Sequence, residues 1–204
     1  MEQFPFIFTV FFMLLGPIKI IPAFAGLTRG ADSQFKRDVA IRAIVIASVL
    51  CAFVALAGDT MLGKFHISIP GLRISGGLVL LIAALELIFK KSTPSSPNSG
   101  KPTAMQLAVS PVAAPIIVPP AGVAAILITV MLAPLIPGAF YALVICLAIM
   151  MVLDFLVMYF IDWVTKPGLM LVLAVLGAVL IFVQVCLAIE TILNGLRDLG
   201  IVKA

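Results

Sequence analysis

Polar residues along this chain separate long apolar runs instead of alternating within them. Runs of about 20 residues, long enough to cross roughly 30 Å of hydrocarbon as a helix, recur near 4–27, 38–62, 70–89, 105–132, 138–161 and 168–193. The pattern predicts six transmembrane helices and an all-α membrane protein. A transmembrane β-barrel would instead need about 10-residue stretches of alternating polarity, and these runs are continuous.

The first and fourth runs are interrupted in the same way, as Gly16-Pro17-Ile18-Lys19-Ile20-Ile21-Pro22-Ala23 and Pro115-Ile116-Ile117-Val118-Pro119-Pro120-Ala121-Gly122. Each contains proline, four residues, then Pro-Ala. Proline has no amide hydrogen and clashes with the carbonyl four residues earlier. Pro17, Pro22, Pro115, Pro119 and Pro120 are thus expected to free the carbonyls of Met13, Ile18, Pro111, Pro115 and Ile116. In hydrocarbon such oxygens need partners, so unwound backbone is tolerated where it lines a cavity. A proline opening the following half-helix also aims free amides and a positive dipole end at the gap.

Two such breaks facing one another offer amides to a carboxylate and carbonyls to an ammonium, the two ends of a free amino acid. The residues around them, Ala23, Ala25, Gly26, Ala113, Ala114, Ala121, Gly122, Ala124 and Ala125, bring the walls close and favour a small ligand. The candidate substrate-binding positions are Gly16, Pro17, Pro22, Pro115, Pro119, Pro120 and Gly122. Kinking without a ligand is the competing reading, because Pro and Gly are frequent in membrane helices. Broken helices at matching places in two halves point to a transporter site near the bilayer midplane.

The longest polar stretch, Lys90 to Pro102, has no apolar residues to bury and reads as a linker. It divides the chain into a first three-helix unit at 1–91, a linker at 92–104 and a second three-helix unit at 105–204. Three is odd, so two halves of like fold sit in the membrane with opposite orientation, as an inverted repeat. Small residues in the third and sixth spans, Gly76-Gly77 and Gly177-Ala178, suit close helix approach in both halves. The loops after the first, third and fifth spans hold Arg29, Lys36, Arg37, Arg42, Lys90, Lys91, Lys101 and Lys166. The positive-inside rule assigns these to the cytoplasm and both termini to the outer side.

Composition agrees with this reading. The chain is 63% hydrophobic and 11% charged, with a mean hydropathy of +1.29, whereas a soluble domain is nearer a quarter charged. The net charge of +4 comes from cations beside apolar runs, without the aromatic-interleaved surface that nucleic-acid binding uses. Cys51, Cys146 and Cys186 lie singly within apolar runs and His66 is the one histidine, so no metal site and no cofactor are expected. Catalytic residues are not expected either, since His-Glu-x-x-His and Gly-x-Ser-x-Gly motifs are absent and no second histidine completes a dyad. Ala23-Phe24-Ala25 resembles a signal-peptidase site, but the chain opens Met1-Glu2-Gln3 with no positive n-region before the apolar run, so cleavage is not expected.

Polar groups inside the spans are the remaining candidates. Asp154, well within the fifth span, could bind an ammonium, carry a coupling proton, pair with Lys19, or be hydrated near the cytoplasmic end; a coupling ion for the protein, if used, would be H⁺ or Na⁺. Lys19 lies between the prolines of the first break, where it could pair a carboxylate or snorkel along its stem. Thr9 and Gln184 are candidate polar linings. Glu86 and Glu190 lie near span ends and read as solvated.

These residues resemble the MarC family of six-span inner-membrane proteins, which includes the SnatA-type small neutral amino acid transporters. The likeness extends over essentially the whole chain. It rests on Gly16-Pro17-Ile18-Lys19-Ile20-Ile21-Pro22-Ala23-Phe24, on Pro111-Val112-Ala113-Ala114-Pro115 with Pro119-Pro120-Ala121, and on Arg73-Ile74-Ser75-Gly76-Gly77. Two positions depart from the family pattern. Gly16 stands where an aspartate is usual and Lys19 where a glycine is usual, which removes an acid and adds a cation beside the break. The resemblance implies transport of glycine- or alanine-like amino acids across an inner membrane. The partners it implies are a small-molecule substrate and the lipid bilayer, with a homo-oligomer left open. A channel or a non-transporting membrane scaffold are the alternative classes, and an enzyme ranks below both.

Overall fold

The computed structural model describes residues 3–89 and 103–202, all of the secondary structure among them being helical. Helix α1, Gln3–Leu15, is followed by α2, Pro17–Leu27; α3 is Ser33–Lys64 and α4 Ile69–Phe89. After α5, Ala104–Leu107, an irregular segment covers Ala108–Ile117. Then come α6, Pro120–Leu132, α7, Ala139–Tyr159, the short α8, Ile161–Val164, and α9, Pro167–Asp198. Five spans are long and apolar enough to cross a membrane, with α1 and α2 counted together as Phe4–Leu27. The pair Ala104–Ile117 and Pro120–Leu135, bent by 58°, makes six. The expected all-α fold of membrane-spanning helices is what the chain adopts. Most of the linker at 92–104 lies outside the described residues.

The element ends follow from local chemistry. The Asp32 carboxylate accepts from the Phe35 amide at 3.3 Å and opens α3. A reciprocal pair opens α5: the Gln106 amide donates to Thr103 Oγ1 at 3.3 Å, and the Thr103 amide donates to Gln106 Oε1 at 2.9 Å. Helices α3 and α9 both end in a left-handed residue whose amide and the next one turn back onto the last turn. At α9 this residue is Gly200 (φ 72°), bonded to the Arg197 carbonyl at 2.9 Å, with Ile201 bonded to Leu196 at 3.1 Å. At α3 it is His66 (φ 53°), bonded to Gly63 at 3.1 Å, with Ile67 bonded to Leu62 at 3.1 Å. An L side chain is strained in that conformation.

Packing relies on small residues. The buried stripe of α3, Val39, Ala40, Ala43, Ala47, Cys51 and Ala55, follows helical spacing and lies against the irregular segment, α6 and α7. Helices α4 and α9 form the most extensive pairing. A methyl on Gly77 would stand 2.6 Å from Ile192 Cγ1 and 2.8 Å from the Ala188 carbonyl oxygen; one on Gly195 would meet the Pro70 carbonyl oxygen at 2.9 Å. On α9 the close approach to α4 thus comes through Ala188 and Gly195, while Gly177 faces Ile18 of α2, 3.6 Å from its would-be Cβ.

Charges mark the two ends of the bundle. At one end Lys36 pairs with Asp162 at 2.5 Å, Arg37 lies 4.5 Å from the Tyr159 ring and Lys166 lies 5.9 Å from Trp163. At the other, Arg73 pairs with Asp198 at 2.6 Å and Arg197 with Glu190 at 2.9 Å. Tyr141 and Tyr159 stand near opposite ends of α7, about 27 Å apart at 1.5 Å per residue, close to the hydrocarbon thickness whose borders such rings prefer. Helix α9 leaves most of its apolar surface uncovered, as a lipid-facing helix does.

Candidate functional site

Both breaks exist, and they are built in different registers. Gly16 sits between α1 and α2 with extended backbone (φ −73°, ψ 164°), and Pro17 is the first residue of α2. Pro119 sits before α6 with nearly the same backbone (φ −72°, ψ 159°), and Pro120 is the first residue of α6. Gly16-Pro17 therefore corresponds structurally to Pro119-Pro120, five residues away from the alignment that the repeated Pro-x-x-x-x-Pro-Ala suggests. Pro22 remains inside α2. The second break begins earlier than the motif, at Ser110 (φ −144°, ψ 126°) and Ala114 (φ −138°, ψ 126°). Each precedes a proline, which pushes its neighbour out of the helical region, and each is joined to that proline by a cis peptide bond.

Each break leaves helix-end groups without partners in the helix. At α6 the amides of Ala121 and Gly122 precede the first intrahelical bond, from Val123 to Pro119 at 3.1 Å. At the end of α1, the Leu14 carbonyl accepts from the Lys19 ammonium. The two breaks are neighbours: Leu15, the last residue of α1, lies against Gly122 in the first turn of α6, where an added methyl would stand 3.2 Å from Leu15 Cγ. Glycine at 122 is what lets the end of α1 come this close.

Two cavities flank this region. One, of about 290 Å³, is walled by α2 and the first half of α9 and includes Gly16, Ile18, Lys19, Pro22 and Gln184. The other, of about 330 Å³, is walled by α1, α6 and the second half of α9 and includes Phe11, Leu80, Thr129, Gln184 and Thr191. Met13 and Gln184 belong to both walls. A more polar groove of about 580 Å³, lined by Arg29, Lys36, Asp162 and Thr165, adjoins the first cavity through Pro22 and Met170. The three spaces form a series from the Lys36–Asp162 end of the bundle to the other, with Gln184 midway. Its side chain is buried and Nε2 donates to the Leu80 carbonyl at 3.2 Å, which ties α9 to α4 at that level.

Asp154 lies on the buried stripe of α7 with Leu143, Cys146, Met150 and Met158. It is fully buried, and neither carboxylate oxygen has a hydrogen-bond partner. Its helix packs against α2, which carries Lys19, and against α3, which carries Cys51. Lys19 and Asp154 nonetheless form no ion pair within 4.0 Å.

The structure thus gathers Gly16, Lys19, Pro22 and Gln184 into one cavity wall, with Pro17 buried beside it, while Asp154 is buried on α7 and lines neither cavity. Gly122 packs on Leu15, while Pro115, Pro119 and Pro120 line neither cavity. Thr9 is on an exposed face, its hydroxyl donating back to the Pro5 carbonyl at 2.7 Å. Met13, Thr129 and Thr191, absent from the sequence-derived set, line the cavities; the two threonines carry the only signal that could have marked them, hydroxyls inside apolar spans. Among the described residues no cluster of His, Cys, Asp or Glu could hold a metal ion.

The family model for MarC family integral membrane proteins matches residues 1–199. The chain belongs to the MarC family. It is similar to a UPF0056 membrane protein of Methanocaldococcus jannaschii, 22% identical over 97% of each chain. It is also similar to a UPF0056 membrane protein of Archaeoglobus fulgidus, 28% identical over 40% of this chain and 38% of that one. The UPF0056 inner membrane protein YhgN of Escherichia coli is 24% identical over 53% of this chain and 54% of its own. Except for the Methanocaldococcus protein, the match spans about half or less of the length of these relatives. No solved structure matches. MarC membership makes this an integral membrane protein, in agreement with its apolar helices.

Proposed function

We propose that this MarC protein is a secondary transporter of small neutral amino acids, glycine- or alanine-like, or of similar small solutes, working by alternating access. The observation that carries the reading is the pair of cavities approaching Met13 and Gln184 from opposite ends of the bundle. A solute site that must face each side in turn lies where such cavities meet. Free amides at the start of α2, which lines the first cavity, supply groups that a carboxylate would use. At about 290 Å³ the first cavity has room for only about ten waters, which favours a small substrate.

The packing pattern supports an inverted repeat. The third span lies on the sixth and the second on the fifth, and the first contacts the fifth as the fourth contacts the second; exchanging the halves preserves this set. Opposite orientation of the halves follows from three spans in each. The Lys36 and Lys166 end is then cytoplasmic, both termini lie outside, and the membrane is the inner one, in keeping with the printed name of YhgN. Asp154 is the group through which a coupling ion, H⁺ or Na⁺, would act.

A channel is the second reading, and the cavity walls argue against it: they are almost wholly apolar, with Lys19 the one charged residue among them, so these walls offer no ring of charge to select ions. The test is purified protein in liposomes, assayed for uptake of labelled glycine and alanine with and without imposed proton and sodium gradients. Saturable uptake is expected; no uptake of either by folded protein would overturn the substrate assignment.

A further inference from the structure

We propose that the first cavity is a carboxylate site centred on Lys19, and that its ligands are small apolar monocarboxylates for which an amine is dispensable. The Gly16-Pro17 break opens α2 and puts Lys19 in its first turn. From there the ammonium donates back to the Leu14 carbonyl at the end of α1, which holds the charge at the break. An ammonium has three donors, so one bond to Leu14 leaves two for a ligand. Lys19 lines the cavity between α2 and α9, and among the described residues of that wall it is the one charged side chain. Gln184 is the other polar one.

The charge count selects the ligand. A carboxylate bonded to Lys19 makes a charge-assisted pair and leaves the cavity neutral. A zwitterion brings an ammonium as well, so the loaded site keeps one positive charge in apolar surroundings, where unpaired charge is costly. No Asp or Glu of this wall offsets it. The acceptors left for a ligand ammonium are neutral: Gln184 Oε1, since Nε2 is bound to the Leu80 carbonyl, and the Ile18 carbonyl, which Pro22 deprives of its helical partner. Met13, Leu173 and Ile181 suit an alkyl chain, and a volume of about 290 Å³ limits that chain to a few carbons. Alanine enters by its carboxylate, and propionate is the same carbon chain without the amine. That the bound carboxylate is carried across the membrane rests on the transport reading; its binding does not.

The experiment is thermal unfolding of the purified full chain in detergent, titrated with sodium propionate, alanine or alaninamide hydrochloride against NaCl at equal ionic strength. Propionate should raise the midpoint saturably by several degrees, half-saturating at or below the concentration that alanine needs, and alaninamide should not raise it. Lys19→Met and Lys19→Gln should each lose the propionate response, while Arg29→Gln, in the neighbouring polar groove, should keep it. In the native chain, no response to propionate, an equal response to alaninamide, or half-saturation by propionate more than about tenfold above that by alanine overturns the proposal without need of any variant. A response that survives in either Lys19 variant, or is lost in Arg29→Gln, places the carboxylate elsewhere and overturns it too. In liposomes, unlabelled propionate should compete with labelled alanine for uptake and alaninamide should not. If neither alanine nor glycine is taken up while the propionate response appears, the transport reading fails and the carboxylate site stands. If alanine is taken up without competition from propionate, the transport reading stands and this proposal fails.

Discussion

The contact of α4 with α9 offers a quantitative test, because two glycines bring backbone against backbone there. Gly77→Ala adds one methyl, placed 2.6 Å from Ile192 Cγ1, 2.8 Å from the Ala188 carbonyl oxygen and 3.1 Å from the Ile192 amide nitrogen. The isoleucine side chain can rotate away, but the other two atoms belong to the α9 backbone. Restoring about 3.4 Å from the carbonyl means moving the helices apart by about 0.6 Å, against the second close point at Gly195 and Pro70. Overpacking of this kind costs about 1–3 kcal/mol, and at about 2–4 °C per kcal/mol for a chain of this size the midpoint should fall by roughly 2–12 °C. Gly63→Ala is the matched control. It lies near the end of α3 with nothing within 4 Å of its would-be Cβ, so the change should be neutral or stabilise by up to about 1 kcal/mol. Thermal unfolding of both variants in one detergent decides the matter: if Gly77→Ala melts at or above the temperature of Gly63→Ala, the α4–α9 contact is not as close as described.

Three further outcomes follow. His66→Gly relieves the left-handed strain at the end of α3 and should raise stability by about 1 kcal/mol; an unchanged or lower midpoint would refute it. Gln184→Leu removes the bond to Leu80, a contact of a kind worth about 0.6 kcal/mol within membranes, so the melting midpoint should move by no more than about 2 °C while uptake falls; equal uptake would remove Gln184 from the path. Asp154→Asn replaces a buried, unpartnered carboxylate by a neutral group of the same shape and should leave the fold as stable or more stable while abolishing gradient-driven uptake; a large loss of stability would instead give Asp154 a structural role.

The six spans were legible because bilayer thickness dictates run length, and runs such as 70–89 were set off by charged loops. The observed helices mostly extend the expected spans by a few residues: α3 begins at Ser33 and α9 reaches Asp198. The breaks were legible as prolines but not in their register. A proline at the first turn of a helix and one inside it look alike in a sequence, and only backbone geometry distinguishes Pro17 and Pro120, which open helices, from Pro22, which does not. Ser110 is extended because of the proline after it, a local rule that was available and points to an earlier start of the second break. Within the site, Lys19 and Gln184 stood out as polar residues in apolar runs. Their partners, the carbonyls of Leu14 and Leu80, are backbone atoms that carry no residue signature.

The central claim is that one solute site faces the two sides in turn. Counterflow measures this without any ion gradient: liposomes loaded with excess unlabelled glycine or alanine are diluted into a trace of the labelled solute. The account expects label to accumulate transiently above its outside concentration, saturably, with Gln184→Leu much reduced. Flux that is linear in concentration with no transient accumulation, from protein shown to be folded, would contradict it.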